Sequence, residues 1–149
     1  MTIRRIFFLA ALLALVSLST VPASAQAKRA IEGTWITYIA VDGLPPCQCV
    51  AIQTYKADGT VEGPANDRFS GDIRGVWART GDNTYALTLV QNNINPDGSA
   101  GGVYVVKCTV TIATPDAMTG KFTFQIVGNN GVVMFSGTGT FTATKVNAQ

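Results

Sequence analysis

From Gly33 to Lys145 apolar and polar residues alternate one position at a time, and no stretch carries the spacing of a long amphipathic helix. Successive side chains on a strand point to opposite faces, so this alternation assigns each strand an inside and an outside. In Val103 to Ile112 one face carries Tyr104, Val106, Cys108, Val110 and Ile112, and the other Lys107, Thr109 and Thr111. Phe122, Phe124 and Ile126 stand against Thr123 and Gln125 in the same way. Farther on, Phe135, Gly137, Gly139 and Phe141 oppose Ser136, Thr138, Thr140 and Thr142. The pattern predicts strands at Gly33 to Val41, Cys49 to Lys56, Asp72 to Arg79, Thr84 to Asn92, Val103 to Thr111, Lys121 to Val127 and Val132 to Lys145. A short strand near Thr60 to Gly63 can be added.

Residues that preset turns or tolerate positive φ separate these segments: Ala57-Asp58-Gly59, Thr80-Gly81-Asp82-Asn83, Asn95-Pro96-Asp97-Gly98, Pro115-Asp116 and Asn129-Asn130-Gly131. Gly98-Ser99-Ala100-Gly101-Gly102 reads as a flexible hairpin tip. Connections this short make sequence neighbours antiparallel partners. Seven or eight strands then tend to close, because closure removes unpaired edges. The expected fold is all-β, an up-and-down antiparallel β-barrel of about eight strands, with a β-sandwich as the alternative. Glycines among inward aromatics either let the sheet bend or let a ligand approach.

Before the first strand stands MTIRRIFFLAALLALVSLSTVPASAQA, in which a basic start, an apolar run from Ile6 to Val16 and Ala23-Ser24-Ala25 follow one another. That order predicts an export signal over residues 1–25, cut after Ala25, then a polar lead (26–32), one domain (33–146) and a short tail (147–149). The expected location is periplasmic or extracellular, with no membrane span once the signal is gone. Of 11 basic residues Arg4 and Arg5 lie in the signal, and those that remain balance the 9 acidic ones. A chain without charge excess or basic cluster makes nucleic acid and anionic membranes poor partners.

Gly33-Thr34-Trp35, at the head of the first strand, is similar to the G-x-W that opens lipocalin and related calycin barrels. The segments YKADGTV and GVWARTGDNTYALTLV also resemble small exported bacterial lipocalin-like proteins of unassigned function. The resemblance runs from about Gly33 to Lys145 and implies a barrel whose floor is closed by Trp35. Lipocalins proper lay an arginine over that tryptophan and add a helix, whereas the last strand here offers Lys145. A ligand is therefore not carried over from the family.

Three cysteines occur, Cys47, Cys49 and Cys108. In an oxidising compartment two of them can pair. Closing the long loop from Cys47 or Cys49 to Cys108 contributes roughly 4 kcal/mol in the chain-entropy view, against less than about 2 for the small Cys47 to Cys49 loop. The long link is the first expectation. The tight bond, which the preceding Pro45-Pro46 helps to set, and reduced or metal-bound thiols are the alternatives. Zinc would lack a fourth donor, since the chain has no histidine.

That lack also removes the commonest general base and every Ser-His or Cys-His pair. Asp42, Asp58, Asp82, Asp97 and Asp116 fall in turns, where a carboxylate ordinarily holds the local backbone. Glu62, Asp67 and Asp72, near Arg68 and Arg74, suit surface ion pairs. No enzyme activity, cofactor or metal is expected. The inward residues Trp77, Tyr85, Leu87, Leu89, Tyr104, Phe124, Phe135 and Phe141 either fill the barrel or line a pocket for a small apolar ligand, with Tyr85 and Tyr104 as polar handles. Binding such a molecule is the expected function. The alternative is a structural or protein-interaction module of the cell envelope, touching its partner through a spare thiol or an open strand edge.

Overall fold

The computed structural model describes residues 30–45 and 49–147. The expected signal, most of the polar lead and Cys47 lie outside the described residues. Eight strands follow in order: β1 (Gly33–Val41), β2 (Cys49–Tyr55), β3 (Thr60–Gly63), β4 (Ile73–Arg79), β5 (Thr84–Ile94), β6 (Ala100–Thr114), β7 (Ala117–Val127) and β8 (Val133–Lys145). Each pairs antiparallel with the next, and β8 returns to β1 from Trp35 opposite Lys145 to Val41 opposite Gly139. The result is a closed up-and-down barrel, compatible with a lipocalin-like fold, and not a sandwich.

Alternation sorts the faces as the sequence pattern requires. Val110, Ile112, Phe122, Phe141 and Ala143 are buried, while Thr109, Thr111, Thr123, Thr138, Thr140 and Thr142 are exposed. The inner glycines of β8 have a steric cause. A Cβ on Gly137 would stand 2.6 Å from the Phe124 ring, and one on Gly139 would strike the Phe122 ring and the Ala40 carbonyl. A side chain at either position would collide with an aromatic ring of the neighbouring strand, so steric crowding holds these positions to glycine.

Several strands run past their expected ends. The Gly98 to Gly102 segment is a tip only in part: Ala100, Gly101 and Gly102 already belong to β6. Gly102 takes a φ of 105°, and a side chain there would meet the Val127 carbonyl, so glycine lets the ladder continue through the register shift at Asn93/Ile94. Tall hairpins therefore form one side of the wall, with 15 residues in β6 and 13 in β8. The other side is low. β3 has only 4 residues and pairs with β2 at two positions, Thr54 with Glu62 and Tyr55 with Val61.

Residues 64–72 stand above that low side and tie it to β5. Ser70 bridges Asn93, the Ile94 amide donates to the Phe69 carbonyl, and the Gly71 amide donates to Asn92. Asp67 Oδ1 accepts from the Phe69 amide at 2.7 Å and from the Ser70 hydroxyl at 3.0 Å, so the loop is held by its own carboxylate.

The two ends of the barrel differ. Where β1 begins, Ile31, Trp35, Tyr55, Tyr85, Val110 and Met118 are all shielded from solvent. Trp35 Nε1 donates to the Ile31 carbonyl at 2.8 Å, and the Lys145 ammonium lies 5.3 Å from the centre of the Trp35 ring. Ile31, expected in a polar lead, is instead part of this plug. At the other end the wall opens.

Candidate functional site

A cavity of about 760 Å³ fills the upper half of the barrel and reaches solvent at the open end. Its walls come from every strand but β3: Ile39 and Val41 on β1, Ala51 and Gln53 on β2, Ile73 on β4, Leu87, Leu89 and Gln91 on β5, Tyr104 and Val106 on β6, Phe122, Phe124 and Ile126 on β7, and Phe135 and Phe141 on β8. Residues 66, 67, 69 and 70 form part of the rim. A void exists because the low side of the wall supplies few inward side chains at this height, whereas at the closed end two tryptophans and two tyrosines consume the space.

Six of the eight expected lumen residues, Leu87, Leu89, Tyr104, Phe124, Phe135 and Phe141, line this cavity. Trp77 and Tyr85 do not. They lie toward the closed end, packed edge to face with ring centres 5.8 Å apart, and Trp77 Nε1 donates to the carbonyls of Lys56 and Thr60 at 3.1 Å. Burial raises the Tyr85 hydroxyl above its ordinary pKa. It is a packed core group, out of reach of the cavity as a polar handle. Phe135, 53% exposed, is at the rim and touches Phe124 with ring centres 5.7 Å apart.

The sequence pattern had also placed two polar residues inward that were not singled out. Thr37 follows Trp35 by two positions and Gln53 precedes Tyr55 by two, so both share the inner face of their strands. They are the only buried polar residues among those described, at 3% and 5% exposure, and both line the cavity. Trp35 pairs with Gln53 and Thr37 with Ala51, which sets Thr37 and Gln53 diagonally across adjacent strands, one layer above the plug. The Tyr55 hydroxyl donates to Gln53 Oε1 at 2.8 Å. Thr37 Oγ1 has no hydrogen-bond partner among the described residues.

Among the described residues Asp67, at the rim, is the one charged residue lining the cavity. Glu62 pairs with Lys56 at 2.8 Å and with Arg74 at 3.2 Å on the outer face, and these contacts hold it below the usual carboxylate range. Asp58 and Asp97 accept from Thr60 and Ser99 in their turns and are lowered for that reason. Among the described residues no three of Cys, Asp and Glu come close enough to hold a metal ion.

The expected link to Cys108 is not formed. Cys108 is a buried free thiol on β6, between Leu87 of β5 and Phe122 of β7. Cys49 opens β2, four strands away, so the two lie on opposite walls of an eight-strand barrel. A disulfide needs Cα atoms within about 7 Å, less than the roughly 10 Å that separates facing sheets. Burial pushes the Cys108 thiol up to about 12. The thiol is buried, and the closed barrel pairs each strand on both sides.

Compared with known proteins, the chain matches no family model, no curated protein and no solved structure.

Proposed function

We propose that this is an exported carrier or receptor that binds a small, largely apolar molecule in the upper barrel. The supporting observation is the cavity itself. It is open to solvent, has walls rich in aliphatic and aromatic side chains, and has a volume within the roughly 300–1,000 Å³ of sites that enclose small ligands. Kinship with the lipocalin-like exported proteins belongs to the same proposal. It rests on the G-x-W opening, the eight-strand closure and a cation over Trp35, here Lys145 in the place of an arginine.

For the remaining cysteines we propose the tight bond. The support is that Cys108 is a free thiol, so that of the three cysteines Cys47, which lies outside the described residues, and Cys49 remain to pair. Under denaturing conditions the exported protein should then titrate with one thiol per chain, and peptide mapping should recover it at Cys108.

The binding reading is tested with the protein purified from its export compartment. An environment-sensitive apolar fluorophore should brighten and saturate with one site per chain, and native mass spectrometry should show any molecule carried from the cell. Leu89→Trp, which places an indole in the cavity from a wall residue, should abolish uptake while leaving the barrel folded. Absence of uptake by the native protein, or uptake unchanged in Leu89→Trp, overturns it.

A protein-interaction role has one observation in its favour. Val132, Val133, Met134 and Phe135 stand exposed in a row where β8 begins. Phe135 of this row lines the cavity, so the row can equally guide an apolar ligand inward. Crosslinking in intact cells from position 134 separates the two, because a partner protein would be captured there and a small ligand would not.

A further inference from the structure

The polar groups of the cavity are distributed unevenly in what they have left to offer. Near the mouth several are engaged: Gln91 Nε2 donates to the Gly71 carbonyl at 2.8 Å, and Asp67 and Ser70 hold each other and the loop backbone. At the bottom one is not. Thr37 is 97% shielded and its hydroxyl is unpartnered among the described residues, although a buried hydroxyl ordinarily finds a partner. Beside it the Gln53 carbonyl is already used by Tyr55, which leaves the amide NH₂ as the end of that side chain able to donate. Among the described residues no lysine or arginine lines the cavity, so none of them would compensate a buried anion.

We propose that the cavity takes an uncharged amphiphile head-first: an apolar chain or ring system ending in one hydroxyl or carbonyl, whose oxygen accepts from Thr37 and Gln53 at the base while the apolar part fills the space between Leu89, Phe124 and Phe141. A carbonyl oxygen accepts from both groups, and a hydroxyl accepts from Gln53 and exchanges a hydrogen bond with Thr37. A carboxylate of the same length is rejected because it would be ionised, buried and unpaired. This inference rests on the ligand-binding reading of the same cavity and assigns the class and orientation of the ligand.

The test uses displacement of the bound fluorophore by four molecules of equal chain length: a primary alcohol, a methyl ketone, the alkane and the fatty acid, at pH 8. The alcohol and ketone should compete about 5- to 10-fold better than the alkane, the size expected of one or two neutral hydrogen bonds, and at least 10-fold better than the carboxylate. Thr37→Val, close to threonine in shape and with no hydroxyl to satisfy, should bring alcohol and ketone toward the alkane while fluorophore affinity is retained, and Thr37→Ser should restore the preference. Thr111→Val, the same exchange on the exposed outer face of β6, should change nothing. Equal competition by alkane and alcohol, tighter binding of the carboxylate, or loss of preference in Thr111→Val rather than Thr37→Val overturns the head-first assignment and leaves the binding reading standing. Failure of every molecule and of the fluorophore to bind overturns both.

Discussion

The closed and open ends of this barrel are built by the same eight strands, and they obey opposite rules. At the closed end Trp35 and Tyr85 have no exposed surface, and Tyr55 and Met118 have almost none. At the open end Leu44, Val132, Met134 and Phe135 are all more than half exposed. The difference lies in what the inward positions hold and in how high the wall stands. Large rings from β1, β2, β4 and β5 meet where all strands are present. Higher up, β3 has ended and the strap of residues 64–72 covers its place, so the inner rows face a space that they do not fill. Tight packing is concentrated in one half of the molecule and open space in the other.

The largest effect that would test this division is expected from Trp35→Ala. Removing a fully buried indole from the plug should cost about 3–5 kcal/mol in urea unfolding, as large-to-small changes in tight cores do. A cost below about 1 kcal/mol would mean that the closed end is not where stability resides.

Alkaline unfolding should sharpen the comparison next. Cys108 keeps its proton in the folded protein up to about pH 12, whereas an unfolded thiol releases it near 8.5. The folded pKa is the higher one, so this contribution is complete below about pH 8.5 and is lost as pH rises toward 12, at up to about 1.4 kcal/mol per pH unit. Tyr55 and Tyr85 are also raised by burial and extend the loss above pH 10. Cys108→Ala should flatten the profile between about pH 9 and 10 in thermal melts. In the native protein at pH 8, Cys108 should resist alkylation until unfolding.

A smaller change is expected from Lys145→Met, which keeps the aliphatic stem over Trp35 and removes the charge. The loss should be about 0.5–1 kcal/mol, a cation–π contribution, measured by the same unfolding curves. The smallest belongs to the mouth: Phe135→Ser should alter stability by no more than about 0.5 kcal/mol, since the ring is half in solvent. Its effect should show instead as weaker fluorophore binding. If Phe135→Ser destabilised as much as Lys145→Met, the two ends would not be divided as described.

How much of this was legible beforehand can be followed in particular residues. Gly33–Val41 and Thr60–Gly63 were readable with their ends, because alternation stops at recognisable turns. The beginning of β6 was not, since Ala100 to Gly102 carry no side-chain pattern and enter the sheet only because Asn93 and Ile94 are there to pair. Six lumen residues followed from alternation. Trp77 and Tyr85 obey the same rule, yet depth along the barrel axis, which alternation does not encode, places them in the plug. Thr37 and Gln53 were passed over for the converse reason: a search for apolar residues on inner faces ignores the polar residues that share them.

The cysteines show the limit most sharply. Chain entropy favours a long loop to Cys108, but entropy acts only where geometry allows the bond, and β2 and β6 face each other across the barrel. By its own alternation and turn residues the sequence determined a closed, antiparallel wall with a greasy inside and a threonine-rich outside, because both signals are local and strand pleating is short-ranged. Tertiary structure alone decided which inward residues meet at the plug, which ones surround a cavity and which sulfur stays alone, because those depend on strand height, stagger and the distance across the barrel.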